Sequence, residues 1–329
     1  MLLSIRGTAG TIAVVPAEQD GANITQDTAR VRVRPEVDRT FIEKVLCTYA
    51  VQHYIRFHTV GQAVRGINIR DVRRIPVALP ERAEQARIGA LLHGFDRAVS
   101  NLVSLIESKR RFKHGLMQEV LTGKRRFGEM KSQEWRQLPL SHWFEEFSRR
   151  NPSGEVPEVL SCTKKGIVRQ RDRFSKRLAS TDLSRYKVVS QGDLVYDPML
   201  LWDGSFGFVE IPEGGVVSPA YATLRYKGSE DDRAFLRQLL ASAHHRHQYK
   251  VISQGTNQRR RKAIPSDYLR IAGPVPLAAM ERARIGHVAD LLEKEVQSLQ
   301  RLLELLRQQS SAVAELLLTG QVRVPEAAS

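Results

Sequence analysis

The chain has 329 residues, of which 42% are hydrophobic, so it is long and apolar enough for two packed domains and not a disordered polymer. Its 51 Lys and Arg against 36 Asp and Glu give a formal charge of +15, which points to a polyanionic partner, nucleic acid first, although charge alone leaves open a basic protein with no such partner. Two distant cysteines, Cys47 and Cys162, argue against a disulfide framework or a zinc module, and the lack of any long uncharged apolar run argues against export and membrane spanning, so the expected location is the cytoplasm.

In chain order, GTIAVV and ARVRV read as short strands and FIEKVLCTYAVQHYI as helical. A basic stretch follows Gly61, with Arg65, Asn68, Arg70, Arg73 and Arg74. A long helix then spans residues 87–123. Its apolar positions Ile88, Leu92, Phe95, Val99, Leu102 and Ile106 step alternately by four and three, which is a heptad seam. After it comes KKGIVRQRDRFSKR, where Lys164, Lys165, Arg169, Arg171, Arg173, Lys176 and Arg177 surround Phe174. DLVYD, FGFVEI and YATLRY read as strands, and DRAFLRQLLASAHHRHQY as helical. From His244 to Ser266 there is no acidic residue, while Arg246, Lys250, Arg259, Arg260, Arg261 and Lys262 gather around Gly255 with Asn257 and Gln258 between them. Guanidinium forks and side-chain amides are the groups that read guanine and adenine edges; others of these cations touch phosphate only. A second heptad helix, with Ile285, Ala289, Leu292, Val296, Leu299 and Leu303 on its seam, closes the chain at 284–320.

The two long helices are copies of one another. Arg87 to Gly123 aligns without a gap on Arg284 to Gly320, an offset of 197 residues. At the same offset Gly7, Gly10 and Ile12 match Gly204, Gly207 and Val209. Each repeat is therefore a mixed α/β globular part followed by a helix. Two apolar stripes in one chain are covered most economically by packing the helices together as a coiled coil; each helix docked on its own domain is the alternative. Only six residues precede Gly7, whereas residues from about 135 to 203 precede Gly204, so the first globular part is expected to lack its front half.

Sites for chemistry are missing. There is no G-x-x-x-x-G-K-[ST] loop and no G-x-G-x-x-G between strand and helix, and YDPML at 196–200 lacks the second proline and the aromatic of a methyltransferase tetrapeptide. Asp197 and Pro198 read as a turn. His244, His245 and His247 lack a nearby carboxylate or cysteine and read as a solvated or DNA-facing surface, not a metal site.

The Pro-bounded entry LPERAEQARIGALL, the heptad helix and its terminal GLMQEVLTGKRRF, repeated once, together with SIRGTAGTIAVVPAEQDGANITQDTARVRV and GDLVYDPMLLWDGSFGFVEIPEGGVVSPAYATLRY, resemble the specificity subunits of type I restriction-modification enzymes over nearly the whole chain. The resemblance implies an α+β protein with two mixed α/β target recognition domains, a partial one at 1–80 and a second at 128–276. Two conserved spacer helices, 81–127 and 277–322, separate them as an antiparallel coiled coil. It further implies that the chain reads a bipartite double-stranded DNA target and performs no catalysis. No cofactor is expected of its own, because two modification (methyltransferase) subunits hold the S-adenosylmethionine sites and restriction (motor-nuclease) subunits join the larger assembly. The residues expected at DNA are Arg65, Asn68 and Arg70 in the first unit, and Lys164, Lys165, Arg169, Arg171, Arg173, Lys250, Asn257, Gln258, Arg259, Arg260, Arg261 and Lys262 in the second. A remnant that binds modification subunits without reading a full site is the alternative, and an RNA-binding protein with a helical arm a third reading. Replacing Arg259 and Arg260 by Ala is expected to weaken duplex binding: in a titration against several sequences, loss of discrimination marks base contacts, a uniform loss marks phosphate contacts, and no change removes this segment from the recognition surface.

Overall fold

A computed structural model describes residues 1–324 apart from 20, 63–64, 132–133, 174–179, 181 and 254–261. The chain divides into two units, Met1–Ser108 with Gln297–Ser329, and Lys109–Val296.

In the first unit, β1 (Leu2–Ser4) lies between β2 (Ile12–Ala13) and β3 (Thr28–Arg30) in an antiparallel sheet of order β2-β1-β3. Then come α1 (Arg39–Leu46), α2 (Tyr49–Phe57), the hairpin of β4 (Thr59–Val60) and β5 (Gly66–Ile67), the short α3 (Ile69–Val72) and the 40-residue α4 (Arg82–Leu121). The second unit contains β6 (Trp135–Pro139), β7 (Phe144–Glu146), β8 (Leu160–Thr163), β9 (Gly166–Arg169), α5 (Gln170–Arg173), β10 (Lys187–Val189), β11 (Leu194–Tyr196), β12 (Phe206–Phe208), β13 (Gly215–Val217) and β14 (Ala222–Tyr226). These are followed by α6 (Glu230–Ala241), α7 (Ala243–Ile252), α8 (Pro265–Arg270), β15 (Ala272–Pro276) and the 40-residue α9 (Ala279–Leu318). Its main sheet, β12-β11-β14-β7, contains the same three-stranded order as the first unit, with β7 added at the β14 edge. Around it, β8 pairs with β9, β10 with β13 and β15 with β6.

Both helical segments after the sheets are divided where the sequence reads as continuous. Thr48 and Ser242 take extended backbone, and each hydroxyl accepts from an amide of the next helix, Val51 at 3.5 Å and His245 at 3.3 Å. A side-chain oxygen at that position replaces the carbonyl that an N-terminal amide lacks, which favours starting a new helix there.

The long helices begin and end 197 residues apart, as the repeat requires. In the first unit Ile88 and Leu92 of α4 share a core with Leu317 and Leu318 of α9. In the second, Met117, Val120 and Leu121 of α4 share one with Ile285 and Ala289 of α9. The start of each helix thus meets the end of the other, an antiparallel pairing. The same ion pair closes both ends: Glu84 with Arg323 in the first unit, and Glu281 with Arg126, at 2.7 Å, in the second. Each helix stops at a Thr-Gly step. The Thr122 and Thr319 hydroxyls donate to Gln118 and Glu315 carbonyls at 2.8 and 2.6 Å, and Gly123 and Gly320 take φ of 73° and 74°, a left-handed turn that glycine accepts without a Cβ clash.

Each long helix also crosses closely over the helix that follows the main sheet of its own unit, α1 in the first and α6 in the second. A methyl group at Gly286 would lie 2.7 Å from the Ala234 Cβ and 2.7 Å from the Phe235 nitrogen; at the equivalent Gly89 it would lie 3.2 Å from an Asp38 oxygen and 3.3 Å from the Phe41 nitrogen. One residue in the first turn secures each crossing. The Gln85 side-chain carbonyl accepts from the Asp38 amide at 2.9 Å, and the Arg282 guanidinium donates to Asp232 at 2.6 Å and to the Pro276 carbonyl at 2.9 Å.

The histidines of α7 part company. His244 is exposed and within hydrogen-bonding distance of the Ala272 carbonyl at 2.9 Å, and His247 is exposed. His245, expected on the surface, is fully buried: its Nδ1 lies 3.2 Å from the Ser242 hydroxyl and its Nε2 has no partner among the described residues. Successive helical side chains diverge by about 100°, so one of two neighbours faces the core. Burial, and secondarily His244, pushes the His245 pKa down to about 3.

Two measurements check this architecture. Gly286→Val is expected to destabilise the protein by about 1–3 kcal/mol through overpacking, whereas Gly94→Ala, at a helical glycine with nothing within 4 Å of an added methyl, should be neutral or stabilise it by up to ~1 kcal/mol; urea unfolding that ranks them otherwise rejects the close crossing. The unfolded chain binds a proton at a His245-like imidazole near pH 6.5 and the folded chain only near pH 3, so this residue's contribution is intact above about pH 6.5 and falls as the pH drops toward 3. His245→Gln should flatten the acid limb of the stability profile over that window, and identical profiles would place His245 in water.

Candidate nucleic-acid interface

In the second unit, three separate stretches of sequence converge at the end of the central strand β11. The loop from Asp197 to Ser205 joins β11 to β12. The β8–β9 turn reaches it, carrying exposed Lys164 and Lys165, with the Lys164 ammonium 2.7 Å from the Asp203 carboxylate. The end of the acid-free basic run is pinned to the same loop. The Ala263 amide donates to the Pro198 carbonyl at 2.9 Å, and the Tyr196 hydroxyl donates to the Ala263 carbonyl at 3.3 Å. The exposed Lys262 is therefore held beside the Asp197-Pro198 turn.

The base under this junction is aromatic. Tyr196 stacks on Tyr268 at 4.7 Å and Tyr268 on Tyr249 at 5.7 Å, all three fully buried, which ties β11, α8 and α7 together. Burial raises all three phenol pKa values, so the hydroxyls stay neutral donors. Lys250 is exposed on α7. Beside the junction lies a cleft of about 600 Å³, lined among others by Lys164, Lys165, Arg173, Tyr186, Leu200 and Tyr221. Lys187 donates to the Tyr221 carbonyl at 2.6 Å; burial is the first cause, and the charge of Lys262 a further one, that lowers its pKa, with Glu146 opposing them.

Not every expected contact stands free of acidic neighbours. Arg169 is 2.9 Å from Glu213, and Arg171 is 3.1 Å from Glu158, so carboxylates already occupy both guanidinium groups. Glu213 lies far from the basic stretch in sequence and Glu158 just before it, and only the folded chain pairs them with these arginines. Asn257, Gln258, Arg259, Arg260 and Arg261, with Phe174, Lys176 and Arg177, fall outside the described residues.

In the first unit, Arg65, Asn68 and Arg70 are all exposed around β5 and the start of α3. Asn68 sits at the α3 N-cap without a capping hydrogen bond from its side chain. The Gly7 amide donates to the Arg65 carbonyl at 3.0 Å and the Arg6 backbone bridges to Gly66, so the β1–β2 loop lies against this basic edge and adds Arg6 to it. Arg6 is about sixty residues from the others in sequence, and only the sheet joins them. Gln52 steadies that loop by donating to the Gly10 and Leu46 carbonyls at 2.9 and 2.8 Å. The neighbouring α2 exposes Tyr49 and Phe57, with Arg56 5.6 Å from the Tyr49 ring centroid, an aromatic and cationic face that a helix pattern alone did not single out.

Such an arrangement donates hydrogen bonds and positive charge. Among the described residues no group of three His, Cys, Asp or Glu side chains is placed to hold a metal ion, and no helix is long and apolar enough to cross a membrane.

No protein-family profile and no curated protein matches the sequence. Solved structures do match the fold. The S subunit of a type I restriction-modification system from M. genitalium superposes with a TM-score of 0.54 at 15% identity, over 99% of this chain and 83% of that one. A chain from structural work on complex assembly and conformational transition of the type I R-M system superposes with a TM-score of 0.55 at 17% identity, over 94% of this chain and 78% of that one. The chain therefore shares its fold with the S subunit of the M. genitalium type I restriction-modification system.

Proposed function

We propose that this protein is the DNA-recognition subunit of a type I restriction-modification system, reading a bipartite target with one unit for each half and directing methylation and cleavage by partner subunits. The observation that carries this reading is the duplication. Both units present a basic edge at the same place, beside the loop that follows the corresponding strand of the sheet, β1 in one and β11 in the other, and the long helix that follows recurs at 197 residues. Donors of the Arg, Lys and Asn type on a rigid sheet suit base edges and phosphates of duplex DNA. In this reading residues 1–80 and 128–276 are target recognition domains, 81–127 and 277–322 are spacer helices, and the residues at DNA are those of the two basic edges. The chemistry belongs to its partners: two modification subunits hold the S-adenosylmethionine sites, and restriction subunits supply the motor and nuclease.

Co-expression with a modification subunit encoded beside it, followed by genome-wide mapping of methylated bases with and without this chain, tests the proposal. A split methylated motif that requires the chain is the expected result. A stable complex that adds no methylation would defeat bipartite reading, and the absence of any complex would defeat the assignment of partners.

A further inference from the structure

The loop between β11 and β12 carries two neighbouring large apolar side chains in water, Met199 at 46% and Leu200 at 42% exposure, beside Leu201, which is fully buried. The loop is rigidly built. The Asp197 side chain accepts from the Met199 amide at 2.9 Å, its carbonyl accepts from the Leu200 amide at 3.1 Å, and its own amide donates to the Ser205 carbonyl at 3.1 Å. The Leu200 carbonyl in turn accepts from the Asp203 and Ser205 amides at 3.0 and 3.1 Å, and the Trp202 indole donates to the Met199 carbonyl at 3.0 Å. The two exposed side chains thus project from a frame that has little freedom to fold them away.

Cations lie beside this tip, next to the loop's own Asp197 and Asp203. Lys164 is tied to the loop through Asp203, Lys165 and Arg173 line the cleft that Leu200 borders, and Lys262 is held next to Pro198 by the Ala263 amide. A single exposed leucine on a protein surface is ordinary. Two consecutive ones, fixed by backbone hydrogen bonds and flanked by the exposed Lys165 and Lys262, suit a ligand that is anionic outside and apolar at one point. In the major groove the one apolar feature is the 5-methyl group of thymine.

We infer that Met199 and Leu200 are specificity-determining residues that select a thymine by contact with its methyl group. The inference rests on the DNA-recognition reading above. The corresponding loop in the first unit, between β1 and β2, presents Arg6, whose side chain is 58% exposed and lies 3.7 Å from Asp27, so that loop carries a cation where this one carries two apolar side chains. One scaffold loop then carries different base preferences in the two halves.

The experiment is selection of bound duplexes from a randomised library by the full-length chain at fixed salt, followed by sequencing and by affinity measurement on the winning sequence. The wild type should enrich a sequence with at least one thymine that Met199→Gln with Leu200→Gln no longer requires, other positions being retained, while Met199→Leu with Leu200→Met keeps it. Replacing that thymine by deoxyuracil, which lacks only the methyl, should weaken wild-type binding about threefold to tenfold, the size expected for one buried methyl group, and leave the Gln variant unchanged. Equal affinity for thymine and uracil overturns the inference, and so does a Gln variant with the wild-type preference, whereas both results leave sequence-specific recognition standing. If the wild type enriches no sequence at all, the DNA-recognition reading itself fails and this inference with it.

Discussion

In each unit a long helix lies almost in backbone contact with the helix that follows the sheet. At Gly286 the neighbouring chain is so near that a single methyl group has no room, and Gly89 repeats the geometry more loosely. The sheet, the helix behind it and the long helix can share one core only at this separation. Gln85 and Arg282 then lock the crossing with different chemistry, a neutral amide in one unit and a largely buried guanidinium–carboxylate pair in the other. A buried pair of that kind is costly to break from one side, so the second unit depends on its crossing more than the first does.

From this constraint follows the stiffness of the candidate interface. Because β11 is fixed in the sheet and the three stacked tyrosines fix α7 and α8 against it, the loop after β11 can act as an anchor for chain segments that arrive from elsewhere. Lys164 comes to it from a hairpin turn and Lys262 from the stretch before α8. A recognition surface benefits from being held in this way, since donors that are already positioned lose less freedom on binding.

The positive charge of the chain is distributed over two kinds of work. Arg126, Arg282 and Arg323 join carboxylates between elements of their own unit, and Arg169 and Arg171 are engaged by Glu213 and Glu158. Lys165, Lys250, Lys262, Arg65 and Arg70 remain largely in solvent. A net charge of +15 thus predicts attraction to a polyanion without saying which cations meet it.

The sequence alone determined the repeat, the long helices, their antiparallel seam through family resemblance, and the five strands β2, β3, β11, β12 and β14, because periodicity and the Thr-Gly stops are local signals that survive without knowledge of neighbours. It also located three basic stretches, after Gly61, at 164–177 and at 244–266. Tertiary structure alone decided that Thr48 and Ser242 start new helices, that His245 belongs to a core, that Arg169 and Arg171 are paired with acids, and that Arg6 joins residues some sixty positions away. It decided too that Met199 and Leu200 stand in water while Leu201 does not. In each case the deciding term is burial or a contact between chain segments distant in sequence. A local pattern records which side chains are apolar or charged, and only packing determines which of them find a partner.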